Sequence, residues 1–131
     1  MTLEKLNEHL ELLQKKADIE ELITNLWDAA SPGAQDLNGM PHGGTPKDKV
    51  GDLAIEIADL NGKLKTINEE VHQSEMKILP FINSICDDRT RMIFRLRYIH
   101  GLPWRSVAAT LGPGITAATV RQICYRYTGE A

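Results

Sequence analysis

The chain contains no arginine before residue 89 and no lysine after residue 77. It is also poor in the residues that build small secreted folds and metal sites. Cys86 and Cys124 are the two cysteines in 131 residues. Two isolated thiols form no disulfide framework, and neither has metal-ligand spacing, so reduced cysteines in a cytoplasmic chain are expected. Uncharged apolar runs are too short to cross a bilayer. The first ten residues, MTLEKLNEHL, have the pattern of a polar helix rather than a secretory leader. The four histidines, His9, His42, His72 and His100, fall in separate elements without ligand spacing. Neither cysteine has a base nearby in sequence. The glycines at 43 and 44 are not followed by the Lys-Ser/Thr pair of a phosphate-binding loop. The expectation is a chain that is not an enzyme and takes no cofactor or metal.

What is present is a charge asymmetry. The composition, 42% hydrophobic and 25% charged, is that of a folded, soluble chain with a net charge of −3. Residues 1–77 carry eight Lys against fifteen acidic residues, a net of −7. Residues 78–131 carry seven Arg against three acidic residues, a net of +4. A basic C-terminal module on an acidic N-terminal one is expected where one part touches phosphate and the other does not. Arginine is also the better residue for bidentate contacts to phosphate and guanine.

The N-terminal part shows helical periodicity. Leu3, Leu6, Leu10, Leu13 and Ala17 alternate by three and four, the spacing of a coiled-coil seam. The seam then shifts to run through Ile19, Leu22, Ile23, Leu26 and Trp27, a phase break in the heptad pattern. Ser31-Pro32-Gly33 ends this first helix, and residues 31–45 form a loop rich in Gly and Pro. A second helix opens with Thr45 as its cap and Pro46 at its first position. Val50, Leu53, Ile57, Leu60, Leu64, Ile67, Val71 and Ile78 continue the three-four alternation, with Ser74 filling one gap. The simplest arrangement folds this helix back antiparallel on the first. The hairpin, residues 1–79, also offers a seam for self-association, with a dimer favoured. Pro80 marks a kink or boundary, and residues 80–131 form the second domain.

Within that domain, Asp87 or Asp88 caps a helix whose inner stripe is read as Met92, Ile93, Leu96 and Ile99. Gly101 stops it. A short helix follows from about Trp104 to Leu111, with Val107, Ala108 and Leu111 facing in. Gly112-Pro113-Gly114 breaks the chain, and Thr116 caps a last helix with Val120, Ile123 and Tyr127 on one side. The other side carries Ala117, Ala118, Arg121, Gln122 and Tyr125. This is an all-α chain: an antiparallel helical hairpin followed by a helix-turn-helix domain. Arginine and glutamine read guanine and adenine edges in a major groove, so Arg121 and Gln122 are expected at bases. Thr116, Thr119, Arg126 and Arg105 are expected at phosphates, with Ala118 and Tyr125 on the same face. For Arg89, Arg91, Arg95 and Arg97 a solvated face is favoured, with internal pairing as the alternative for Arg97.

Leu96-Arg97-Tyr98, Gly101, Trp104, Val107-Ala108, Leu111-Gly112 and Ile115-Thr116 occur in an order that resembles the fourth conserved region of bacterial sigma factors. Val120-Arg121-Gln122-Ile123 is similar to the recognition-helix core of the primary sigma factors, and the resemblance passes a promoter-contacting role to Arg121. Pro113-Gly114 lengthens the turn by two residues, and Ala117-Ala118 replace a base-contacting charged pair of that family. The whole chain resembles, more loosely, short prophage-encoded transcription regulators of the ArpU-like and RinA-like groups. The expectation is a sequence-specific regulator of a phage or mobile element that binds double-stranded DNA as an oligomer and has no membrane partner. Two competitors remain: a module that binds RNA polymerase without reading DNA, and a small terminase-like DNA-packaging subunit.

Overall fold

A computed structural model of the protein describes residues 1–30 and 46–129. The described chain is all-helical. Helix α1 spans Leu3–Ala30 and α2 spans Pro46–Asn83. Helix α3 spans Asp88–Phe94 and runs into a π-helical turn, Arg95–Ile99. Helices α4 (Trp104–Leu111) and α5 (Ala117–Tyr127) complete the order. The loop expected over 31–45 and its Thr45 cap lie outside the described residues. No helix among the described residues is long and apolar enough to cross a membrane.

The chain divides into two compact units, one of Met1–Gln14 with Glu70–Ala131 and one of Lys15–Glu69. These units do not follow the division expected at 79/80. Helix α2 passes through Pro80 to Asn83, and the apolar stripe explains why. Ile78 and Ile82, one turn apart across the proline, are both buried in the core of the first unit, with Ile85 just beyond the helix end. Proline lacks an amide N–H and so forfeits one helical bond. The turn after it is held by the Ser84 N–H donating to the Pro80 carbonyl at 3.1 Å and the Ser84 hydroxyl donating to the Phe81 carbonyl at 2.6 Å.

In the first unit, the opening turns of α1 pack among the C-terminal helices. Leu3 and Leu6 share one buried cluster with Ile78, Ile82, Ile93, Phe94, Val107 and Val120. His9 is 1% exposed, and its Nδ1 lies 2.8 Å from the Ser74 hydroxyl. Ser74, the polar gap in the α2 seam, therefore meets the one buried polar residue of α1. The pair fixes the antiparallel register, because a slip of one heptad along α2 would set His9 against Ile67 or Phe81. A buried ring nitrogen left unbonded costs about 1–3 kcal/mol. Burial lowers the His9 pKa below its usual value, opposed by the Glu75 carboxylate and by a hydrogen bond with the Tyr98 backbone. The ring thus touches α1's neighbours on both sides, α2 and the end of α3.

The second unit keeps the seam expected of α2 from Leu53 onward; the side chain of Val50 lies outside what the structure describes. Ile57 is buried, and Leu53, Leu60, Leu64 and Ile67 are half-buried. The α1 seam differs from the expected one. Ile19, Ile23 and Leu26 are half-covered, whereas Ala17, Leu22 and Trp27 are exposed. Seam positions continue after Leu13 through Lys16 and Ile19 by steps of three, so a straight helix keeps one face without taking Leu22 or Trp27 inward.

Candidate nucleic-acid interface

Helix α3 begins where a carboxylate can satisfy free amides. The Asp87 side chain accepts from the Thr90 N–H at 2.9 Å and from the Thr90 hydroxyl at 2.7 Å. These two bonds hold its pKa below the usual carboxylate range. The inner stripe of α3 is Ile93, Phe94 and Tyr98. Met92, expected inside, is 47% exposed, while Leu96 and Ile99 are half-buried against the core. The two aromatics decide the face, since each removes more apolar surface from water than Met92 would. Phe94 sits at the centre of a ring cluster, 5.7 Å from Phe81, 5.7 Å from Tyr98 and 5.6 Å from Tyr127. Gly101 then ends the helix at φ 69°, a conformation that glycine adopts without strain.

Helices α4 and α5 pack on each other across the turn Gly112-Pro113-Gly114. Val107 and Ala108 are buried on α4, as expected. On α5 the buried pair is Val120 and Cys124, with Ile123 half-buried and Tyr127 packed edge-on against Phe81 and Phe94. Cys124 lies four residues after Val120, at the centre of the inner face, and burial pushes its thiol up to about 12, so it is inert at neutral pH.

Seven of the eight candidate residues lie on α5 or its cap. Thr116 is the N-cap; its hydroxyl accepts from the Thr119 N–H at 3.2 Å and lies 2.9 Å from the Thr119 hydroxyl. When Thr119 donates that second bond, the Thr116 O–H is left free to donate outward. At about 100° per residue, Ala118 and Gln122 point directly away from the buried stripe. Arg121 falls on one flank, Thr119 and Arg126 on the other. Ala118, Thr119, Arg121, Gln122 and Arg126 are all exposed. Tyr125 is half-buried and leans on the core, and Ala117, placed on the outer side by the sequence reading, is half-buried. The boundary of the buried stripe falls between residues 117 and 118, because Ala117 lies within a few tens of degrees of Cys124. Arg105, the eighth candidate, is exposed at the second residue of α4.

The arginines separate into two classes. Arg91 donates to the Ile85 carbonyl at 2.8 Å and pairs with Asp88. Arg95 donates to the Asn83 side chain at 2.7 Å. Arg97 donates to the Leu102 carbonyl at 3.0 Å and stacks on Trp104, its central carbon 4.5 Å from the ring centroid. A solvated face, favoured from sequence for Arg89, Arg91, Arg95 and Arg97, describes the exposed Arg89 and Arg95 but not Arg91 and Arg97, which are half-buried. Arg91, Arg95 and Arg97 are each bonded to a group of their own domain. Among the described residues Arg89, Arg105, Arg121 and Arg126 are exposed and have no such bond.

A groove of about 560 Å³ lies elsewhere on the first unit, between ridges of α1 and α2 that carry Lys5, Glu8, Glu70 and Lys77. None of the eight candidates lines it. Comparison of the chain with protein-family models, with curated proteins and with solved structures finds no match.

Proposed function

We propose that the protein is a sequence-specific regulator of transcription that binds double-stranded DNA through α5, in a phage or another mobile element. The observation that carries this reading is the division of the arginines. Arg91, Arg95 and Arg97 are bonded within the domain, whereas Arg105, Arg121 and Arg126, and on α3 Arg89, are exposed and without such bonds among the described residues. Long cationic side chains held in solvent on the two flanks of the exposed α5 face and at the start of α4, beside Gln122 and a capping threonine, suit a polyanion with readable base edges. Arg121 and Gln122 are assigned to bases, and Arg105, Thr116, Thr119 and Arg126 to phosphates, with Ala118 and Tyr125 making apolar contact. Two copies joined through the hairpin would set two α5 helices on neighbouring half-sites. Leu22, Trp27 and Ile55, exposed on the hairpin helices, support self-association there.

The test is a titration of the full chain against a random-sequence duplex pool at two salt concentrations, with Arg121→Ala as control. Salt-sensitive binding that enriches one sequence, weakened by about 1–3 kcal/mol in the control, is expected. Equal binding by wild type and control would remove Arg121 from the interface. A protein partner is favoured by one observation. Ala118, at the middle of the α5 face, offers no hydrogen bond to a base. Binding to RNA polymerase without DNA affinity at low salt would support that second reading.

A further inference from the structure

We infer that Arg97 is a positioning residue of the DNA interface: it fixes the start of α4, and with it Arg105, relative to α5, and does not itself contact DNA. This inference rests on the DNA-binding reading above.

The guanidinium is held from several sides. Nη1 donates to the Leu102 carbonyl, in the link between α3 and α4, at 3.0 Å. The central carbon stacks 4.5 Å from the Trp104 ring centroid. Trp104 in turn stands edge-on to Tyr98, with ring centroids 6.3 Å apart. The guanidinium also faces the Tyr98 hydroxyl and the Cys124 thiol, where its charge opposes the effect of burial on each. The cation therefore joins the end of α3, the link and the first residue of α4, and its charge reaches the Cys124 thiol on the inner face of α5. Its Nε is buried and has no hydrogen-bond partner among the described residues. An unbonded, desolvated N–H is costly. Its retention here is consistent with a side chain whose stack and Leu102 bond fix the orientation of the guanidinium plane.

The consequence for binding follows from sequence adjacency. Trp104 is the first residue of α4 and Arg105 the second. The α4 cap is Pro103, which has no side-chain hydrogen bond to anchor that end. The Arg97 stack thus supplies what the cap does not. Loosening it leaves both helices formed but frees the phosphate-binding end of α4 from the base-reading face of α5. A lysine keeps the charge but has neither the planar stack nor the fork that reaches a carbonyl while stacking.

The test compares wild type, Arg97→Met and Arg97→Lys in the full chain. Each is titrated with the duplex enriched from the random pool and with a scrambled duplex of the same length, over a salt series. The expected result for both variants is unchanged helicity by circular dichroism and a ratio of specific to scrambled affinity about tenfold lower, the size of one lost base preference. The slope of log affinity against log salt is expected to fall by less than one unit, since Arg105 keeps its charge and only its position relative to α5 is loosened. A wild-type ratio retained in Arg97→Met overturns the inference, as does full rescue by Arg97→Lys. A slope reduced by about one with the ratio intact overturns it too, because Arg97 would then be a phosphate contact. If Arg97→Met does not fold, Trp104→Leu, which keeps the guanidinium and removes only its stacking surface, must show the same loss of ratio. An unchanged ratio in Trp104→Leu overturns the inference. Failure of wild type to select any duplex is a separate outcome; it ends the DNA reading and this inference with it.

Discussion

Helices α3 and α5 belong to one small domain, and both carry arginines, yet they use them in opposite ways. On α3 and its π-helical turn, Arg91, Arg95 and Arg97 are turned back onto Ile85, Asn83 and Leu102, and Arg89 alone lacks such a bond. On α5, Arg121 and Arg126 extend into solvent. Composition alone counts all of these as one basic patch. The structure divides them into cations that satisfy carbonyls at the ends of neighbouring elements and cations left available to a partner. Net charge therefore overstates the cationic surface open to an anion.

The comparison can be broken most severely through the core that both helices share. Phe94→Ala should cost about 3–5 kcal/mol, because it empties the centre of the ring cluster. Urea unfolding would read this as a large shift in midpoint, and a shift below 1 kcal/mol would mean that the rings do not organise the domain. Next in size is the effect that separates the two arginine classes. Arg121→Ala should leave the urea midpoint within about 0.5 kcal/mol of wild type while weakening DNA binding by about 1–3 kcal/mol. Arg91→Ala should do the reverse, lowering stability by about 1 kcal/mol through the lost bond to a buried-end carbonyl with little change in DNA affinity. If both variants behave alike in both assays, the division is wrong. Thr116→Ala removes the α5 cap and should cost about 1 kcal/mol of stability, with a smaller loss of DNA affinity from the freed α5 end.

The smallest expected effect depends on pH. His9 has a folded pKa below its unfolded value, so the folded state favours the neutral ring. Between the two pKa values the unfolded state binds more protons, and stability there rises with pH. The His9 contribution is therefore complete above its ordinary value of 6.5 and is lost as pH falls below it. Urea midpoints at pH 7.5 and pH 5 should fall in wild type by more than in His9→Leu. Equal falls would assign the acid sensitivity to other groups.

Much of this architecture was legible in the sequence. The seam of α2, the Asp87 and Thr116 caps, Pro46 at a helix start and the span Trp104–Leu111 follow from local rules, because period, caps and breakers act over a few residues. What was not legible depends on long-range partners. Met92 fits an aliphatic stripe, but only the packing of Phe81 and Tyr127 reveals that Phe94 takes the centre. His9 looks like one more polar residue on a charged helix until Ser74 is set against it, sixty-five residues away. A signal was available at Ser74, which falls in the apolar seam of α2, where a polar residue needs a partner. Of the candidate interface, the α5 face was readable from helical spacing. The internal use of Arg91 and Arg95 was not, because Asn83 ends the preceding helix and Ile85 lies in the link after it.

The burial of Leu3 and Leu6 among Ile82, Ile93 and Val120 has a kinetic side. These contacts join residues more than seventy positions apart. Long-range closure is slow, since the chain must lose its loop entropy before the contact rewards it. During synthesis the residues of α3–α5 emerge well after Leu3 and Leu6, which form part of their hydrophobic floor. The α4–α5 pair should therefore reach its native rigidity only when the opening turns of α1 return to it. A fragment of residues 80–131 would lack Leu3, Leu6 and Ile78 and expose the face they cover. A hydrogen-exchange experiment on that fragment should find α5 protected far less than in the whole chain.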